Sequence, residues 1–143
     1  MGSYAVTADI ELLLHGFPGF TLPLGTGTTP TIDQVNGLID QLEAEINGLL
    51  TINGYDTVPA TGASDINMLK RPVAEKVAAT IWHTAYLTRS DDESTPAHVT
   101  WWERNWGSFI KRLRAGDARL IDQTPSGGIE MGSLVLRMYE VDD

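Results

Sequence analysis

Residues 30–54 read PTIDQVNGLIDQLEAEINGLLTING, and this stretch decides the fold class. Its apolar residues recur at helical spacing for about five turns, which predicts one long amphipathic helix. Thr31 and Gln34 have the spacing of a capping box at its start, and Asn53-Gly54 supplies a left-handed stop at its end. The predicted core positions are Val35, Leu38, Ile39, Leu42, Ile46, Leu49 and Leu50, and the predicted polar face carries Asp33, Asn36, Asp40, Gln41, Glu43 and Asn47.

A shorter helix is predicted before this stretch. It should begin near Thr7, whose hydroxyl can act as the N-cap, and it should end at His15-Gly16. The residues from Gly16 to Pro30 are rich in Gly, Pro and Thr, and their only sizeable aliphatic side chains are Leu22 and Leu24. A long loop of this kind offers backbone groups that need partners, so we expect it to make assembly contacts.

A third helix is predicted after residue 63, with Ser64 as its N-cap. It carries both apolar residues at helical spacing and several alanines, so we expect it to be the central, most buried helix. Pro72 lies inside it and lacks a backbone N–H. This predicts a kink or a short break after Leu69.

A fourth helix is predicted with Thr95 as N-cap, Pro96 as its first residue and Gly116 at its end. Trp101 is off its buried stripe and is predicted to be an exposed interface anchor; packing under the preceding polar loop is the alternative. A nucleic-acid reader that uses Trp101 with nearby basic residues is a further alternative, although the helix dipole already explains basic residues at this end. The predicted core stripe is Trp102, Trp106, Phe109, Ile110 and Leu113, and the basic residues are Arg104, Lys111 and Arg112.

The chain after Asp117 has a different pattern. A Gly-rich joint at residues 124–128 precedes apolar residues that alternate with other side chains, which is typical of a strand. Because one strand is not stable alone, we expect it to pair with its own chain, a neighbouring copy or another protein. We therefore predict a mainly α, four-helix bundle-like domain over residues 1–118, with a long N-terminal loop, and an extended, strand-like C-terminal arm over residues 119–143. The predicted interface residues are Trp101, Leu22, Leu24, Leu134, Leu136, Met138 and Tyr139.

The charge is distributed unevenly along the chain. Ten basic and nineteen acidic residues give a net charge of −9, and no Lys or Arg occurs before Lys70. A chain this acidic gains no affinity from counterion release, so tight nucleic-acid binding is not expected. An acidic surface can face DNA without holding it, and the same charge is also typical of a surface that only confers solubility. The apolar runs are too short to span a bilayer, and the N-terminus has no signal-peptide pattern.

Residue types that carry catalysis are few. The chain has no cysteine, which removes disulfides and thiolate chemistry. His98 follows Asp91, Asp92 and Glu93, but the spacing matches neither a calcium loop nor a zinc helix. His83 is expected to be a satisfied, half-buried histidine. We therefore expect no enzyme, no metal and no cofactor, with a metal-dependent helical enzyme at the His98 cluster as an alternative.

Several motifs resemble one family. They are YAVTADIE at residues 4–11, PTIDQV at 30–35, the helix LIDQLEAEING at 38–48, the ending NGY at 53–55, an alanine-rich helix, and a Trp-containing helix that ends LRAG at 113–116. Together they cover most of residues 4–116. They resemble the small helical head–tail connector proteins, also called adaptor or head-completion proteins, of long-tailed bacteriophages and related gene-transfer particles.

The resemblance implies a structural role in the virion neck after synthesis in the bacterial host cytoplasm. It implies a dodecameric ring beneath the portal protein that continues the DNA channel towards a stopper or tail-completion protein. Double-stranded DNA would pass through without specific binding, no membrane would be involved, and the C-terminal segment would dock onto the portal. The alternatives are a tail-completion or stopper protein of the same neck, or a small helical regulatory module that binds protein or RNA.

Overall fold

The computed structural model describes residues 3–17, 19–86 and 96–125, and this part of the chain contains four helices and no strand. The helices are α1 (Thr7–Leu14), α2 (Ile32–Ile52), α3 (Ala63–Tyr86) and α4 (Ala97–Arg114). The prediction of a mainly α, bundle-like fold is confirmed. Residues 126–143, where the strand-like pattern occurs, are outside the described part of the chain. Among the described helices, none combines the length and the apolar character that crossing a membrane requires.

The helix α3 lies at the centre of the bundle. It contacts α1, α2 and α4, and its side chains at Leu69, Val73 and Val77 are completely buried. Pro72 lies within α3, which continues from Ala63 to Tyr86. The predicted break is therefore wrong: a proline removes one backbone hydrogen bond, and the burial of its neighbours Leu69 and Val73 favours the continuous helix.

The sequence signals for α2 are confirmed. The backbone N–H of Gln34 donates to the Thr31 hydroxyl at 3.2 Å, and the Gln34 side-chain oxygen accepts from the Thr31 N–H at 2.9 Å. Gly54 has a φ of 94°, the left-handed conformation expected after a helix end. The capping box and the glycine thus set both ends of this helix.

The predicted starts of two other helices are shifted by one residue. The N-cap of α1 is Val6, whose N–H donates to the Asp9 carboxylate at 2.9 Å, so the prediction that Thr7 is the cap is wrong. Pro96 is the N-cap of α4 rather than its first residue, and Thr95 is outside the described residues. Gly116, with a φ of 79°, follows the end of α4 as predicted.

The loop between α1 and α2 is held by bonds within the chain. The Leu24 N–H donates to the Glu11 carboxylate at 3.0 Å, and the Ile32 N–H donates to the Gly25 carbonyl at 3.0 Å. The Gly25 N–H also donates to the Thr28 hydroxyl at 3.0 Å. The expectation that this loop leaves its backbone for assembly contacts is therefore wrong for these residues, because a side chain of α1 and the loop itself supply the partners.

Candidate functional site

Three buried carboxylates organise the polar structure of this domain. Glu43, Asp65 and Glu75 are 4%, 0% and 3% exposed. A buried carboxylate is costly unless donors surround it, so the partners of these three side chains show what each of them holds in place. Glu43 and Asp65 bind the backbone of distant segments, and Glu75 binds other side chains.

Glu43 fixes the N-terminal segment to α2. Its carboxylate accepts the backbone N–H groups of Tyr4 and Ala5, each at 2.9 Å, and that of Ser3. The sequence places Glu43 on the polar face of this helix, and that prediction is wrong. Glu43 lies four residues after Ile39 and three before Ile46, both buried, and this spacing is the sequence signal that places it on the buried face.

Tyr4 links this N-terminal segment to the loop before α3. Its hydroxyl donates to the side-chain oxygen of Asn47 and accepts the backbone N–H of Ala60 at 3.0 Å. Burial raises the pKa of the Tyr4 hydroxyl, and the negative charges of Glu43 and Asp65 raise it further. The segment is therefore attached at both its backbone and its first buried side chain.

Asp65 and Asp122 hold each other's backbone. Asp65 Oδ1 accepts the N–H of Ile121 at 2.6 Å and that of Asp122 at 3.1 Å. In return, Asp122 Oδ2 accepts the N–H of Ser64 at 2.9 Å and that of Asp65 at 3.2 Å. The N-terminal amides of α3 are thus capped by a carboxylate 58 residues later in the sequence. The prediction that Ser64 supplies the cap is wrong.

Gly62 makes room for this reciprocal pair. A Cβ atom at residue 62 would overlap the Asp122 carboxylate and its Cβ. Further along, the Leu120 N–H donates to the Tyr55 hydroxyl at 3.0 Å, and the Gln123 side chain bonds the backbone of Thr57. Residues 120–123 therefore follow a fixed path across the start of α3. The division of the chain into two parts after residue 118 stays a prediction.

Trp101 lies on the outer surface where α3 and α4 meet. It is 46% exposed, and the Arg71 guanidinium lies 5.7 Å from its ring centroid, within cation–π range. The buried Glu75 accepts from Arg71 Nε at 2.7 Å and from Asn105 Nδ2 at 3.2 Å. We call Trp101, Arg71, Glu75 and Asn105 the Trp101 patch. Its buried carboxylate orients an exposed cation beside an exposed aromatic ring.

A groove lies between α2, α3 and the preceding loop. It has a volume of about 740 Å³, and its lining is mainly apolar. Gly37 forms part of the wall, and a Cβ atom there would meet open space. We call this the α2–α3 groove; it is lined by Gly19, Thr29, Pro30, Gln34, Gly37, Leu38, Gln41, Thr80, Ile81 and Thr84.

The predicted interface residues have different surroundings. Trp101 is exposed as expected, whereas Leu24 is 7% exposed and Leu22 is half-buried against the core. Since this chain already covers Leu24, an interface role for that side chain is not supported. The other predicted interface residues, Leu134, Leu136, Met138 and Tyr139, are outside the described residues.

The histidines show no metal-binding arrangement in the described ranges. His83 Nε2 lies 2.9 Å from Glu103 Oε1, which confirms the prediction of a satisfied, half-buried histidine. His98 is exposed, with its ring 6.5 Å from that of Trp102. Its predicted companions, residues 91–93, are outside the described part, and the described residues contain no group of three or more potential metal ligands.

The chain was compared with protein-family models, curated proteins and solved structures. No protein-family model, curated protein or solved structure matches this chain.

Proposed function

We propose that this chain is a structural subunit of the neck of a long-tailed bacteriophage or gene-transfer particle. It forms a ring that joins the portal to the tail and continues the DNA channel. The observation that carries the proposal is the reciprocal anchoring of Asp65 and Asp122, because it holds the first residues of the predicted C-terminal arm, residues 119–143, to the helical domain. An arm whose base is already fixed to the helical domain loses less conformational freedom when it docks on a portal.

The position of the two anchors supports this role. Glu43 holds residues 3–5, Asp65 holds residues 121 and 122, and Tyr4 contacts Ala60 between them. Both anchored segments therefore lie at the end of the bundle where α2 ends and α3 begins.

The charge of the chain fits a channel rather than a DNA-binding site. Each copy carries −9, so a ring of copies repels the DNA backbone. Repulsion lets DNA pass without sticking to the wall. It also means that the ring needs apolar contacts between subunits to offset the repulsion among the copies.

The direct test is to locate the chain in the purified particle and to measure its binding to the portal. We expect the full chain to co-purify with the portal protein of the same particle, and a chain that ends at residue 125 to lose that binding. The shortened chain keeps the Asp65–Asp122 anchor, so its helical content and melting temperature serve as the folding control. Absence of the chain from the neck would overturn the proposal, and equal portal binding by both forms would remove the arm from it.

A second candidate is a small module that binds RNA or protein. The exposed Trp101 ring beside Arg71 favours it, because aromatic and guanidinium planes are the groups on which unpaired bases stack. Binding of single-stranded RNA that weakens with salt and is lost in Trp101→Ala would support this candidate over the neck protein.

A further inference from the structure

The Trp101 patch and the α2–α3 groove lie on opposite flanks of α3. Arg71 belongs to the patch and Thr80 to the groove, and nine residues separate them in the same helix. Nine residues correspond to about two and a half turns, which places the two side chains on opposite sides. One molecule thus presents the patch in one direction and the groove in the other.

The two surfaces are complementary in chemistry. The patch offers an aromatic ring with the exposed cation Arg71, and the exposed Arg104 lies one turn further along α4. The groove is mainly apolar and is flanked on α2 by exposed carboxylates. Asp33 precedes the lining residue Gln34, and Glu45 lies one turn beyond the lining residue Gln41. An aromatic ring therefore matches the apolar lining in chemistry, and the cations of the patch are opposite in charge to the acids beside the groove.

We infer that Trp101 and Arg71 of one copy insert into the α2–α3 groove of a second copy of this chain. A contact between two different surfaces of the same protein is heterologous, and it repeats from copy to copy until a ring closes or a filament grows. The inference rests on the proposed function, because it names the subunit contact that the proposed ring requires.

The patch is prepared for such a contact before it forms. Glu75 already holds Arg71 beside the Trp101 ring, so binding immobilises fewer freely rotating groups. Tryptophan and arginine are also the side chains that most often dominate the energy of protein interfaces. Trp101 should therefore carry a large share of the self-association energy.

Two substitutions test the two halves of the contact separately. Trp101→Ala removes the ring, and Gly37→Arg fills the groove and places a cation against Arg71. Each should weaken self-association by about 30-fold or more in sedimentation velocity. Both variants should fold, since Trp101 is half exposed and the space beside Gly37 is open. The matched control is Gly48→Arg, at an exposed α2 glycine with the same open space but outside the groove.

Mixing the two variants distinguishes a heterologous contact from any other. The Trp101→Ala chain keeps an intact groove, and the Gly37→Arg chain keeps an intact patch. Neither should associate alone, but an equimolar mixture should form dimers and nothing larger. The contact is overturned if the mixture stays monomeric or if the Trp101→Ala variant associates like the original chain. It is also overturned if the original chain is monomeric at about 1 mM.

The proposed function is tested independently of this contact. If the chain is found in the particle neck and Trp101→Ala is incorporated as well as the original, the contact is wrong and the neck assignment stands. If the mixing experiment succeeds but the chain is absent from the neck, the contact stands and the neck assignment fails.

Discussion

The end of the bundle held by Glu43 and Asp65 differs from the flank held by Glu75 in what the buried carboxylates bind. Glu43 and Asp65 accept backbone N–H groups from segments that are distant in the sequence. Glu75 accepts from the side chains of Arg71 and Asn105. The first arrangement fixes the path of the chain, whereas the second fixes the orientation of an exposed side chain. Stability should therefore depend most on the first region, and recognition on the second.

The largest expected effect is that of Glu43→Ala. It leaves the N–H groups of residues 3–5 without their acceptor, and a buried donor without a partner costs about 1–3 kcal/mol. We expect the free energy of unfolding to fall by roughly 3 kcal/mol or more, as measured in urea. The control is Glu45→Ala, an exposed position on the same helix, which should change it by less than about 0.5 kcal/mol. Equal losses in the two variants would contradict the anchoring role.

A smaller effect is expected for Glu75→Ala. It removes two hydrogen bonds, one of them to a charged guanidinium, and should lower the free energy of unfolding by about 2 kcal/mol. The control is Glu103→Ala, which removes the half-exposed pair with His83 between the same two helices and should cost less than about 1 kcal/mol. If Glu75→Ala destabilises the protein as much as Glu43→Ala, stability does not depend more on the backbone anchors than on the Trp101 patch.

Asp122→Ala removes the carboxylate that caps α3, and it should lower the free energy of unfolding by about 1 kcal/mol. Gly62→Ala should cost a similar amount, because its Cβ displaces the Asp122 carboxylate. The double variant Gly62→Ala with Asp122→Ala should then lose less stability than the sum of the two single losses, because both changes remove the same cap. Thermal unfolding of the four chains measures this difference. Ser64→Ala should have little effect. If Ser64→Ala is as costly as Asp122→Ala, the hydroxyl is the cap after all.

The smallest effect is confined to alkaline pH. Burial raises the pKa of Tyr4 above its ordinary value of 10.0, so the folded state holds this proton more tightly than the unfolded state. The corresponding stability is complete below pH 10 and is lost as the pH rises from there through the folded-state pKa. Unfolding measurements should therefore show a steeper alkaline decline for the original chain than for Tyr4→Phe. Parallel curves would show that Tyr4 is not a source of the decline.

The periodic parts of the sequence predicted the fold well. The apolar spacing, capping box and terminal glycine of α2 correspond to the observed helix, and the exposure of Trp101 follows from its position off the α4 stripe. Several of the predictions that failed concern polar residues. Ser64 has the residue type of a local cap, but the helix already begins at Ala63, and Asp122 accepts the N–H groups of Ser64 and Asp65. A preference for one residue type at a helix start does not reveal a stronger acceptor that arrives from elsewhere in the chain.

Glu43 shows the same limit on a helix face. A carboxylate is normally assigned to solvent because desolvation is costly, and the N–H groups that offset this cost come from residues 3–5. The reciprocal bonds of Asp65 and Asp122 likewise join segments that the sequence separates by nearly sixty residues.

By itself, the sequence determined the number of helices in the described part of the chain, most of their apolar faces and the position of Trp101 off the buried stripe of α4, because these depend on spacing within one helix. The tertiary structure alone decided which carboxylates are buried, which segments they hold, and which residues from different elements come together in the Trp101 patch and in the α2–α3 groove. These features depend on groups that meet only when distant parts of the chain pack together, and no local pattern encodes such a meeting.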